Sequence, residues 1–454
     1  MISGRLLFVT ALLASFHWLP STVSAQVLLP PGFALEEVHP QVNFPTCIRF
    51  SPDGRLFFTE LSGRVAYFPS LTFPNSVTWT TLNVASGGER GALGLAFHPN
   101  YPDSPYVYVV YTAASPLNDR LVRYVDQLGE GKSPAILFEN SGAEDFHHGG
   151  RVAFGPDGQI YLTYGDQLDP AAAQSITDRR GKIFRLGRGG KPAPGNPFGP
   201  QNPAALYGIR NAYGLCFDPL EGTGYFTDNG PECDDEINLL TFGTNYGWGP
   251  NDDCNGTPSG TRAPLAYINP TIGITGCCVY RGGVYPSRWD GALFYGAVNT
   301  GLLYRARFVA GRPDLIDTLD VFADFHDPVL DVTVGPDGFL WVATMGRIWR
   351  ISYTPPVVGV GDPRGVSAAP TLRIGPNPFR TNVAFEIENA AAGARVEVMD
   401  VQGRHIQSWS VESNRRLQWD GRSARGDRVP PGIYLVRLTT ADRQITQRII
   451  RVGS

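Results

Sequence analysis

The sequence predicts an all-β protein, a six-bladed β-propeller followed by a small C-terminal immunoglobulin-like β-sandwich. Three observations carry that prediction. Gly (53) and Pro (38) are abundant among 454 residues and charged residues make up only 18%, a composition that suits short strands and tight turns better than long helices. A turn-then-strand pattern recurs up to Tyr353. A Pro/Gly/Ala-rich stretch then separates a second, shorter series of alternating strands, and the length itself favours more than one folded unit.

Residues 1–25 read as a signal peptide: Arg5 supplies the positive start, Leu6 to Leu13 the short apolar run, and Val23-Ser24-Ala25 the small residues a signal peptidase needs. Cleavage is expected after Ala25, giving a secreted protein, periplasmic or extracellular at the cell surface. No later stretch reaches the roughly 18 to 20 apolar residues that span a bilayer. The formal net charge of -4 with scattered arginines offers no basic surface for nucleic acid. The six cysteines fit an oxidising compartment. Spacing alone does not fix connectivity; at least one bridge is expected among Cys233, Cys254, Cys277 and Cys278, which lie in one stretch of chain, with Cys233 to Cys254 the favoured pairing, and Cys47 and Cys216 fit buried thiols equally well. No paired CxxC or matching His spacing supports zinc.

From residue 26 to 355 the repeats read FSPDGRLFFTE from Phe50, FHPNYPDSPYVYVVYT from Phe97, FGPDGQIYLTYGD from Phe154, FDPLEGTGYFTDNG from Phe217, a degenerate WDGALFYGAVNTGLLYRARF from Trp289, and VGPDGFLWVATMG from Val334. Pro presets φ, Gly accepts a positive φ, and each turn feeds residues of high strand propensity. Six multi-strand units fit propeller blades, which avoid exposed edges by radial repetition. The strand near Phe33 is expected to complete the last blade, which ends in GRIWRISY. The long segments 167–207 and 247–279 are expected to be loops on one face, where propellers place function. Residues 356–371 form the linker, and residues 372–454 a small antiparallel sandwich built from VAFEIE, ARVEVMDV, GIYLVRLTT and QRIIRV.

The segment Asp145-Phe146-His147-His148-Gly149-Gly150-Arg151 precedes one of these turns. Consecutive residues of an extended chain point to opposite faces, so at most one of the two histidines faces a channel. The glycines allow a ligand to approach the backbone. A structural histidine is the competing reading.

The stretches GERGALGLAFHPNY (88–101), HHGGRVAFGPDGQIYLTYGD (147–166), GKIFRLGRGGKPAPGNPF (181–198), YGIRNAYGLCFDP (207–219) and NGPECDDEINLLTFGTNYGWG (229–249) resemble, in order and form, the glucose/sorbosone dehydrogenase family, which contains soluble quinoprotein sugar dehydrogenases. The resemblance covers roughly residues 32–353. It implies an oxidoreductase that uses pyrroloquinoline quinone (PQQ) and Ca²⁺ to oxidise the anomeric carbon of aldose sugars to lactones, with an electron acceptor that the sequence does not specify. By position His147 matches the family's general base, a task suited to imidazole, whose ordinary pKa of about 6.5 lies near working pH. Glu89 falls where the family has a cofactor-contacting Gln. Arg210 and Asn211 match the pair that contacts the quinone and its developing negative charge, although a structural salt bridge is an alternative for Arg210. The carbonyls of Gly230 and Pro231 match ligands of the cofactor-bound Ca²⁺. Asp235, Glu236 and the Tyr246 carbonyl match a second, structural Ca²⁺ site, with a solvated acidic turn as the alternative.

The chain also departs from the family. Asn299 stands where those glucose dehydrogenases place a lysine, and Pro328-Val329-Leu330-Asp331 replaces an Arg-x-Arg-Asp element. Each missing charge-assisted hydrogen bond to a PQQ carboxylate forfeits roughly 1.5 to 3 kcal/mol. Phe146 replaces a usually polar residue, and GITGCCVYRGG (273–283) is closer to the non-enzymatic hedgehog-interacting-protein-like branch. The second reading is therefore a non-catalytic surface propeller that binds glycan or protein. No nucleophile and base arrangement supports a hydrolase. The tail motifs PNPF (376–379), VEVMDVQGRHI (396–406) and WDGRSARGDRVPPGIYLVRL (419–438) resemble FlgD-type immunoglobulin-like or type IX secretion sorting domains, which implies contact with secretion machinery. A plain adhesive or spacer module is the alternative there.

Overall fold

A computed structural model describes residues 29–355, apart from 142–143, 251–253 and 255, and residues 370–452, apart from 391–392, 401–403, 412–414 and 441–443. The signal peptide and nearly all of the linker expected from the sequence lie outside the described residues. No described helix is long and apolar enough to cross a membrane.

Six four-stranded antiparallel sheets form the first unit. Blades 1 to 5 run consecutively through residues 45–81, 92–141, 152–207, 214–268 and 274–324. Blade 6 takes three strands from residues 329–353 and its outermost from Phe33–His39. That strand pairs antiparallel with Ile348–Tyr353, Phe33 opposite Tyr353, so the two ends of the propeller close the ring as expected. The first strands of successive blades contact one another in a complete circuit, blade 6 returning to blade 1. These inner strands surround the axis.

The repeated turn lies between the first and second strands of a blade. In blade 1, Pro45–Phe50 and Leu56–Glu60 pair with Phe50 opposite Leu56, and Ser51 to Arg55 make the reversal. The degenerate fifth copy has a structural cause: between Ile274–Val279 and Leu293–Ala297 the chain makes a longer excursion with a short 3-10 turn at Ser287–Trp289. The segments 167–207 and 247–279 are not wholly loops. They contain Lys182–Leu186 and Ala204–Tyr207 of blade 3, and Ala266–Ile268 and Ile274–Val279 of blades 4 and 5. These strands are short and lack the turn signature, so the sequence pattern does not reveal them.

Apolar clusters fill the spaces between neighbouring blades, for example Phe57, Trp79, Leu95 and Val109 between blades 1 and 2. The axis holds charge as well. Asp331, on the inner strand of blade 6, accepts from Ile48 N at 2.8 Å and pairs with Arg49 at 2.7 Å. Arg151 lies 3.6 Å from the same carboxylate and donates to the carbonyls of Tyr213 and Leu330. A buried carboxylate survives there because partners from several blades compensate it.

The second unit is a two-sheet sandwich. A three-stranded sheet (Thr371–Gly375, Val383–Glu388, Arg415–Trp419) and a four-stranded sheet (His405–Val411, Ala394–Asp400, Gly432–Thr439, Gln444–Arg451) share one core containing Phe385, Val396, Val398, Trp419 and Val436. Ala394, Val396 and Val398 are buried while Arg395 is exposed and Glu397 half-buried, the period-two pattern of a half-buried strand.

Candidate active site

The segment 145–150 enters the inner strand of blade 3 through three left-handed residues, His147 (φ 64), Gly149 (φ 61) and Gly150 (φ 79). Close approach makes glycine necessary at one point in particular. A Cβ on Gly165 would sit 2.1 Å from the His147 carbonyl oxygen, so the segment carrying His147 and the one carrying Asp166 meet backbone to backbone.

That contact puts His147 Nδ1 2.6 Å from Asp166 Oδ1. Asp166 also accepts from Leu168 N at 3.0 Å and from Trp248 Nε1 at 2.7 Å. With its carboxylate oxygens in acceptor roles, Asp166 accepts a hydrogen bond from the Nδ1–H of His147, which leaves Nε2 as the nitrogen with the free lone pair. Glu89 supports the same loop, accepting from His147 N at 2.9 Å. Asn211 completes the bracket: its Nδ2 donates to both Glu89 oxygens (3.1 and 3.0 Å) and its Oδ1 accepts from Gly149 N at 3.0 Å. Glu89, His147 and Asn211 are thus brought together, with the Asn211 amide committed to holding the loop. Phe146, beside them, is exposed.

Arg210 sits on the next turn of chain. Asp228, at the end of the second strand of blade 4, accepts from the backbone N of Arg210 at 2.9 Å and of Asn211 at 2.6 Å. Burial pushes the Asp228 carboxyl up to about 6, against the opposing pull of those two N–H groups. The Arg210 guanidinium lies 5.4 Å from the Trp248 ring centroid and donates to the Asn229 carbonyl at 3.1 Å, while its Nε is buried with no hydrogen-bond partner among the described residues. It faces an open recess whose lining also includes Asp228, Gly230, Pro231, Asp234, Glu236, Tyr246, Trp248 and Tyr267. The Cys233–Cys254 disulfide ties two segments at this recess, which is the bridge expected from the sequence. Cys47, Cys216, Cys277 and Cys278 are free thiols, with Cys216 and Cys277 Sγ 3.4 Å apart.

Among the residues expected to hold calcium, Gly230, Pro231, Glu236 and Tyr246 line the recess. Asp235 does not; its buried carboxylate accepts from the backbone N of Gly230, Ile272 and Ile274 at 3.0, 2.7 and 3.3 Å. The Tyr246 hydroxyl donates to the Leu239 carbonyl. Among the described residues no three His, Cys, Asp or Glu side chains converge on a metal position, so any cation here would depend on backbone carbonyls. At the replaced basic positions the neighbouring cations are already engaged, Arg49 and Arg151 with Asp331 and backbone carbonyls beside Leu330. Asn299 is exposed, Val329 and Leu330 are buried in the inner strand of blade 6, and Lys182 is sealed in blade 3, donating to the carbonyls of Ala172, Ala173 and Arg180.

Asp166, Asp228 and Trp248 escaped the sequence reading. A signal for the first two was present. Glu60, Asp166 and Asp228 are acidic residues at or just past the end of the second strand in the quoted repeats (FFTE, YLTYGD, YFTDNG).

Residues 42–350 match the family model described as Glucose / Sorbosone dehydrogenase. The chain belongs to this family. Aldose sugar dehydrogenase YliI of Escherichia coli is 24% identical over 374 residues, covering 75% of this chain and 96% of that protein. The PQQ-bound form of aldose sugar dehydrogenase from Streptomyces coelicolor superposes with a TM-score of 0.62 at 25% identity, covering 71% of this chain and 99% of that one. Hedgehog-interacting protein of Homo sapiens is 31% identical over 183 residues, 34% of this chain and 26% of that protein. In this member of the glucose/sorbosone dehydrogenase family a further match, over residues 373–452, is to the Secretion system C-terminal sorting domain, which implies secretion to the cell surface.

Proposed function

We propose that this protein is an exported aldose sugar dehydrogenase in which His147 is the general base. The observation that carries the reading is the 2.6 Å contact of His147 Nδ1 with Asp166, which leaves Nε2 free to accept a proton. In this reading Nε2 takes the proton of the anomeric hydroxyl, Asp166 holds the tautomer and balances the imidazolium, and Arg210 stabilises negative charge developing in the recess. When bound, PQQ supplies the two-electron acceptor for the hydride lost from the anomeric carbon.

The residues fit the reacting end of such a group. The unpartnered Arg210 Nε is the donor that a carbonyl oxygen would satisfy. At the carboxylates the fit is thin, because among the described residues Arg210 is the one cation in a lining that carries Asp228, Asp234 and Glu236. A Ca²⁺ held by the carbonyls of Gly230 and Pro231, with Glu236 and Tyr246 nearby, would offset that charge.

A second reading, a non-catalytic propeller that binds glycan or protein, draws support from the same acidic lining and from Asn299 and Leu330. One experiment separates them: titrating the purified mature protein with PQQ and Ca²⁺ and recording the quinone absorbance when an aldose is added. Reduction of the quinone supports the dehydrogenase. Absence of both PQQ binding and turnover across a range of aldoses supports the binding module.

A further inference from the structure

We infer that Asp119 is the positioning residue for the His147–Asp166 pair, holding both of its backbones from the neighbouring blade. The consequence for turnover rests on the reading of His147 as base; the geometry does not. His147 and Asp166 lie on separate segments, and the residue that follows each sends its side chain to the same carboxylate. His148 Nδ1 lies 3.0 Å from Asp119 Oδ2 and 3.1 Å from Oδ1. Gln167 Nε2 donates to Asp119 Oδ2 at 2.7 Å. Asp119 belongs to the strand Leu117–Gln127 of blade 2 and is itself fixed by Thr112 Oγ1 at 2.6 Å. His147 and Asp166 turn toward each other, while His148 and Gln167 turn toward blade 2.

The grip acts where the backbone needs it. His147, Gln167 and Leu168 all have positive φ, at 64, 48 and 62, a region that side-chain-bearing residues adopt only when their surroundings enforce it. His148, Gln167 and Asp119 are all buried, so solvent does not compete for these bonds. Burial disfavours the charged form of His148, yet the hydrogen bond and charge of Asp119 outweigh it and raise the pKa of the ring. Breaking the Asp119 contacts would remove one support from each of two adjacent segments at once, and small misplacements of a reacting group are costly.

The test uses full-length mature protein labelled with ¹⁵N-histidine and free of added cofactor, with the His147 ring assigned from a His147→Gln variant. In wild type, long-range ¹H–¹⁵N spectra are expected to show one fixed His147 tautomer, protonated at Nδ1. In Asp119→Asn the His147 nitrogens are expected to move toward tautomer-averaged positions, and turnover of the reconstituted enzyme to fall roughly 10- to 100-fold in kcat with KM little changed. Asp119→Glu, which keeps the charge, should restore part of both. Gln167→Leu cuts one arm and leaves the His148 pair intact, so it serves if Asp119→Asn does not fold; its His147 spectrum should also shift. A folded Asp119→Asn or Gln167→Leu protein with an unchanged His147 spectrum overturns the inference. Shifted spectra in a protein that oxidises no aldose uphold the positioning role and reject the dehydrogenase reading instead.

Discussion

The His147 loop and the recess beside Arg210 are joined through Trp248, yet they are built in opposite ways. Around His147 the oxygens of Glu89 and Asp166 and the amide of Asn211 find partners within the chain. Around Arg210 the lining is acidic, one guanidinium nitrogen is left without a partner, and a disulfide ties the flanking segments. The difference teaches where pre-organisation ends. The His147 ring is oriented by the protein alone, whereas the acidic lining of the recess has no such internal complement among the described residues.

The largest effect should come from the first region. His147→Ala is expected to cut aldose turnover by about 10²- to 10⁴-fold with little change in Tm, measured on reconstituted protein beside a thermal scan. Equal turnover would break the comparison, because the ordered loop would then have no chemical role.

The next effect belongs to the recess. Replacing Cys233 and Cys254 together by Ser removes a cross-link of sequence separation 21, and restored unfolded-state entropy for a loop of that size corresponds to about 3 kcal/mol. Tm should fall by several degrees while the ¹⁵N signature of His147 stays in place. A disturbed His147 would show that the two regions are one mechanical unit.

A smaller effect tests the charge balance. If a cation completes the recess, millimolar Ca²⁺ should raise Tm by a few degrees through preferential binding to the folded state, and Glu236→Gln should reduce that shift. An equal shift in the variant removes Glu236 from the ligand set.

The smallest effect provides a reference outside both regions. His39, on the strand that closes the ring, stacks on Phe68 at 3.4 Å and has both ring nitrogens buried without partners. Burial lowers its pKa to about 4. The folded state therefore binds its proton less readily than the unfolded chain, and stability should be lost as pH falls from about 6.5 toward 4. His39→Phe should flatten that part of the Tm profile without altering turnover at neutral pH.

Much of this molecule was legible in its sequence. The Pro-Asp-Gly turns marked the blades because φ preferences are local, and the strand at Phe33 could be assigned to the last blade because a ring must close. The resemblance singled out His147, Glu89 and Asn211, and the structure brings these three into contact. The Cys233–Cys254 bridge was the favoured pairing among four nearby cysteines, and the structure forms it. The short strands inside 167–207 and 247–279 were not, since they carry neither the turn nor a long alternating run.

What the sequence determined by itself was therefore local and periodic: turn chemistry, strand alternation, the number of blades and the C-terminal sandwich. Only the tertiary structure decided which side chains meet. Asp166 reaches His147 because Gly165 lets two backbones touch, Asp119 reaches both segments from another blade, and Asp235 is taken up by three backbone N–H groups rather than the recess. Hydrogen bonds act over about 3 Å in space, and no spacing along a chain encodes which distant segments the closing of a ring will bring within that reach.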